Sequence, residues 1–140
     1  MKLSNTKYNQ LIKNAFKTGF GMVYCFDNFI VTEINEGVIF DLNYSKELTA
    51  LIFDYYGPNY NLHVISNRVN NYSIVPTYWF NFYKNKNANQ LKSVSFVYYN
   101  ELAYLNAKLE EKFIKCKTEC FKNLDDAICT ISNIPNRKIA

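Results

Sequence analysis

The sequence predicts a single α/β domain, a mixed β-sheet with an N-terminal hairpin and a parallel portion, covered by helices. Three observations lead there. Asp27-Asn28 is a tight-turn signal between two runs rich in aromatic and β-branched residues, which reads as a hairpin. Short apolar runs then alternate with amphipathic segments, the pattern of parallel strands with crossover helices. A chain of 140 residues that is 49% hydrophobic supplies one sizeable core, not two.

In chain order, residues 4–18 place Tyr8, Leu11, Ile12, Ala15 and Phe16 at helical spacing, with Ser4 or Asn5 to cap and Gly19 to stop. The spacing predicts an amphipathic N-terminal helix over 1–19, added to an α/β domain over 20–134. Runs 22–26 and 29–34 form the hairpin, Gly21 loosens its entry, and 38–40 is a third extended piece after the break at Gly37. Asn43 begins a helix with Leu48, Leu51, Ile52 and Tyr55 inward, stopped by Gly57-Pro58. Residues 62–65 read as a strand buried on both faces. A polar loop over 66–73 leads to Pro76, a suitable first residue for a helix through Tyr83. After a polar connection over 84–90, residues 92–98 alternate as a strand. Asn100 caps a helix expected to turn Leu102, Leu105, Leu109 and Phe113 inward. Residues 118–121 are a last short strand. Asn123 caps a closing helix, with Asp125 and Asp126 in its first turn and Leu124, Ala127, Ile128 and Ile131 inward. Pro135 is expected to end it, leaving 135–140 as a tail.

Composition excludes several classes. The net charge of +4 is scattered, without the basic run of a nucleic-acid or membrane-surface patch. No segment has the apolar length of a membrane span or the layout of a secretory leader. Cys25, Cys116, Cys120 and Cys129 lie in apolar or amphipathic segments and are expected to be reduced thiols of a cytoplasmic protein.

Catalytic machinery does not assemble, so the chain reads as a non-enzyme without cofactor. His63, the only histidine, sits in an apolar run and reads as a hydrogen-bonded structural residue. Cys116 and Cys120 lack the second ligand pair of a zinc site, so no metal is expected. Glu110-Glu111 reads as a solvated helix face, and no glycine pattern cradles a phosphate.

The segment from Ser66 to Ser73 is the candidate ligand- or partner-facing surface. It leaves the carboxyl end of a strand, where open α/β sheets collect ligands. Arg68 can grip an anion bidentately, with Asn67 or Asn71 adding amides and Ser66, Tyr72 and Ser73 adding hydroxyls. The bland alternative is a loop whose Asn residues bond their own backbone. An exposed Arg68 predicts that Arg68→Ala changes stability by less than about 1 kcal/mol. On the helix through Tyr83, aromatics point nearly all round. Tyr78, Trp79, Phe82 and Tyr83 are therefore a possible interface for a second copy, unless the first helix covers them.

Three stretches carry a resemblance: Glu33-Ile34-Asn35-Glu36-Gly37; Val64-Ile65-Ser66-Asn67-Arg68 with Tyr72-Ser73 and Pro76; and Phe121-Lys122-Asn123-Leu124-Asp125-Asp126-Ala127-Ile128. From Phe20 onward the layout resembles the SpoIIAA-like group, related to STAS domains and to the CRAL-TRIO lipid-carrier fold. The resemblance implies a bacterial regulatory or protein-interaction module, with a small-molecule or lipid carrier, holding a small apolar or anionic ligand in an apolar pocket between helices and sheet, as the alternative. STAS antagonists of anti-sigma factors are phosphorylated on a Ser in an Asp-Ser-Ser-Gly-like turn. This chain departs from that turn: Ser66 and Ser73 supply hydroxyls, but the glycine and the acidic neighbour are missing.

Overall fold

The computed structural model describes residues 1–75, 77–84, 88 and 90–139, with 133–139 described as backbone alone. The chain opens with 3₁₀ turns at Leu3–Asn5 and Lys7–Leu11. Strands β1 (Asn14–Lys17), β2 (Gly21–Cys25), β3 (Phe29–Ile34) and β4 (Ile39–Phe40) come next, then α1 (Leu42–Tyr56). The remainder is β5 (Leu62–Asn67), β6 (Ser73–Ile74), α2 (Tyr78–Phe82), β7 (Leu91–Val97), α3 (Glu101–Glu111), β8 (Lys117–Phe121) and α4 (Leu124–Ile139).

Six strands form the main sheet in the order β1-β2-β3-β5-β7-β8. The first three are antiparallel neighbours, and β3, β5, β7 and β8 run parallel. β4 and β6 make a separate short parallel ladder. The period-2 alternation of each strand feeds two cores. Val23, Ile30, Leu62, Val94 and Phe96 pack under α1, α2 and α3. Tyr24, Phe29, Val31, Ile65 and Val97 pack under α4 and the N-terminal turns.

The expected N-terminal helix is absent. Tyr8 and Ile12 pack on the α4 face while Phe16 packs on the α1 face. One short helix cannot deliver residues to opposite faces of a sheet, whereas a segment that wraps the edge and joins it as β1 can. Residues 1–19 are therefore part of the same sheet-centred fold. Thr6 caps the second turn, its Oγ1 accepting from the Tyr8 N–H.

Capping follows the sequence with one shift: Asp41, not Asn43, starts α1 by accepting from the Tyr44 N–H at 3.1 Å. Asn100 and Asn123 cap α3 and α4, each accepting a backbone N–H at 2.8 Å. Gly21 does more than loosen an entry. Its φ is +147°, and a Cβ there would lie 2.3 Å from the Glu33 carbonyl oxygen across the β2–β3 ladder. The backbone of α4 continues past Pro135 to Ile139, so the stop expected at Pro135 is not where the helix ends. The expected helix start at Pro76 and Ala140 lie outside the described residues.

Candidate functional site

Strand alternation divides the 66–73 segment between two places. Ser66 and Arg68 point to the face under α1–α3, and Asn67 points to the other. Arg68 is not an exposed anion grip but is 7% exposed. Its Nη1 lies 2.6 Å from a Glu110 carboxylate oxygen, and its Nε donates to Ser66 Oγ at 3.2 Å. The guanidinium lies over the rings of Tyr72 and Phe96, 5.1 Å and 4.8 Å from their centroids. Trp79 Nε1 donates to Glu110 at 3.3 Å, and the Ser66 and Tyr72 hydroxyls are 3.0 Å apart. Glu110 is thus a buried partner, not part of a solvated face. Burial alone would weaken the Arg68 charge, but Tyr72 and Glu110 outweigh it and hold its pKa above the ordinary value.

Two hollows meet at this ion pair. Beneath α1 and α2 a cavity of about 110 Å³ is lined by Phe20, Leu48, Ile52, Val64 and Phe96, with Arg68 and Glu110 in its wall. Burial pushes Tyr78, which shares a 2.7 Å hydrogen bond with Ser45 in that wall, up to about 12. A second hollow, a groove of about 190 Å³ between β6, α2 and α3, is lined by Val75, Asn106, Leu109 and Phe113.

Asn67, 1% exposed, belongs to a cluster on the opposite face. Its amide donates to Glu33 at 2.8 Å and to the Met1 carbonyl at 2.9 Å, and its Oδ1 accepts from the Tyr99 hydroxyl at 2.7 Å. The Leu3 N–H donates to the same Glu33 carboxylate at 2.7 Å. The carboxyl edge of β3 and β5, where a ligand was expected, is therefore held by the chain's own residues 1–3. Asn71 is exposed, and its backbone bonds Glu36 and Gly37. Ser73 is exposed at the start of β6.

The aromatic helix does not present the expected interface. Tyr78 and Trp79 are buried, Phe82 and Tyr83 half-buried, and the exposed aromatic is Phe80 at 62%. The unexpected surface is α3. Leu102, Leu105 and Leu109, expected inward, are 63%, 55% and 47% exposed, while Ala107 is fully buried. Leu105 and Ala107 stand about 200° apart around the helix. Burial of Ala107, Glu110 and the following Ile114 turns the leucines to solvent. Phe80 packs edge-on to Phe113, 5.4 Å between centroids, and extends the apolar surface past the end of α3.

Sequence reasoning missed Glu33, Tyr99 and Glu110 as site residues. The signal for Glu110 was present: Ala103, Ala107, Glu110 and Ile114 are also helically spaced, but hydrophobicity weighting favours the leucine stripe. His63 has the expected structural setting, its Nδ1 lying 2.6 Å from Ser93 Oγ on the neighbouring strand. The four cysteines are free, and burial pushes the Cys25, Cys116 and Cys120 thiols up. Among the described residues no three His, Cys, Asp or Glu side chains gather as a metal site, and no helix is long and apolar enough to cross a membrane.

This geometry defines an α/β domain with a SpoIIAA-like fold. It is shared with the crystal structure of an uncharacterized protein of the DUF3478 family from Shewanella loihica PV-4, described as having a SpoIIAA-like fold. The TM-score is 0.54 at 11% sequence identity, over 84% of this chain and 90% of that one. No protein-family model matches the chain, and no curated protein matches it in sequence.

Proposed function

We propose that this protein is a non-catalytic regulatory or interaction module of the bacterial cytoplasm that docks a protein partner through the outer face of α3. The observation that carries the reading is the leucine stripe at 102, 105 and 109, turned to solvent beside Phe80. Exposed leucines at helical spacing are the signature of a helix that packs against another surface. The chemistry of the remaining candidates supports a binding role. Thiols raised by burial stay protonated and are poor nucleophiles. Free cysteines suit a reducing compartment. The test is a photo-crosslinking residue placed at Leu105 in the native host. A discrete adduct is expected; no adduct, with one placed at Lys46 as the background control, overturns the reading.

The cavity of about 110 Å³ favours a second reading, a carrier. It is somewhat smaller than the engineered cavity of about 150 Å³ that admits benzene, so its cargo would be no larger than one ring. A retained small molecule in native mass spectrometry would favour this reading over the first.

A further inference from the structure

We propose that the occupant of the α3 face is a second copy of this chain, the two α3 helices packing antiparallel across a twofold axis. The inference rests on the docking reading above and names its partner. Leu102, Leu105 and Leu109 recur at intervals of three and four, the seam spacing of paired helices, and the seam lies opposite the buried Ala107. Among the described residues, no other element of the chain buries this stripe.

Charge order along α3 selects the partner. Glu101 lies in the first turn, Lys108 in the last, and Lys112 at the C-cap. Glu101 and Lys112 are exposed, and the Lys108 side chain is half exposed beside Glu111 at 3.1 Å. With Glu111 paired to Lys108, Lys112 leaves that end net positive, and a helix that runs from an acidic to a net positive end is complementary to itself only when reversed. An antiparallel twofold sets Glu101 of each copy against the Lys108–Lys112 end of the other, while a parallel pairing sets like against like. The same reversal opposes the two helix dipoles favourably.

The area fits a weak dimer. With Phe80 and Val75, the three leucines expose on the order of 500 Å² of apolar residue surface per copy, so a dimer buries roughly 1,000 Å², near the lower limit for a specific interface.

The decisive experiment is sedimentation velocity over a range of concentrations. It uses the intact chain, Leu105→Glu, Glu101→Lys, the double variant Lys108→Glu/Lys112→Glu, and an equimolar mixture of the last two. Every altered residue is exposed, and circular dichroism checks that each variant stays folded. The intact chain is expected to dimerise with concentration, and Leu105→Glu to weaken this about tenfold or more. Each charge variant alone should also weaken it, because all its facing charges become alike. Their mixture should restore it. In the mixed pair, a basic position 101 on one copy faces two acidic positions, and the native Glu101 on the other faces Lys108 and Lys112. Charge variants that dimerise like the intact chain, or a mixture that stays monomeric, would overturn the antiparallel pairing. A monomer at all concentrations, with the Leu105 crosslink landing on a different protein, would overturn self-pairing and leave the docking reading standing. A monomer with no crosslink would remove both.

Discussion

Replacing Arg68 with alanine should destabilise the fold by about 3–5 kcal/mol, because it leaves the buried Glu110 carboxylate without its counter-charge. The expectation from the sequence is the opposite, a surface arginine whose loss costs little. What decides between them is burial: Arg68 is 7% exposed and Glu110 9%. Arg68→Ala also removes the guanidinium from between Tyr72 and Phe96 and enlarges a hollow that already exists beside it. The pair itself is not a large net source of stability, since desolvation offsets most of its attraction. Arg68→Met combined with Glu110→Leu should therefore recover most of the loss. Trp79 Nε1 would still lack an acceptor, at a cost of about 1–2 kcal/mol. Urea unfolding of the two single variants and the double variant reads this cycle. A double variant no better than the singles would mean that the pair is worth far more than its desolvation.

Gly21→Ala should cost roughly 3–4 kcal/mol, combining backbone strain with a steric clash. At φ +147° an L side chain is disfavoured before any contact is considered. The added methyl would also lie 2.3 Å from the Glu33 carbonyl oxygen and 2.9 Å from the Ile34 Cα. Both obstacles are backbone atoms of β3, so no rotamer change relieves them. β2 would have to separate from β3, next to Glu33, which holds Leu3 and Asn67. Gly37→Ala is the control: it shares the positive φ but meets nothing within 4 Å, so its cost should stay near the strain alone, about 1 kcal/mol. Equal losses at the two positions would remove the clash from the explanation.

Most of the sheet was legible because its strands combine strong periodicity with clear stops. The 22–26 and 29–34 hairpin appears where its aromatic and β-branched runs place it, the strand at 62–65 where its apolar run does, and the strand near 92–98 where alternation does. Asn100 and Asn123 announced two helix starts correctly, since a cap depends on a local hydrogen bond. The failures share one cause: local pattern was overruled by what the opposite surface demands. Tyr8 and Phe16 look like neighbours on a helix, yet they serve different faces of the sheet. Two helically spaced stripes compete on α3, and the less hydrophobic one wins because Ala107 permits close approach and Glu110 answers Arg68. That pairing joins residues far apart in the sequence and leaves no local trace. The 66–73 segment was placed correctly at the carboxyl end of a central strand. Asn71 and Ser73 are exposed as expected, but Ser66, Asn67 and Arg68 are buried, because the occupants of that edge, residues 1–3 and Glu110, come from distant parts of the chain.

The docking account stands on the direction α3 faces, and one paired measurement tests it. Urea unfolding at low protein concentration should compare Leu105→Ala with Ala107→Leu. With the leucines outward, Leu105→Ala should cost less than about 1 kcal/mol, while Ala107→Leu should cost about 1–3 kcal/mol by overpacking a fully buried site. The reverse ranking, with Leu105→Ala losing the roughly 2–5 kcal/mol of an emptied core position and Ala107→Leu tolerated, would turn the stripe inward and contradict the account.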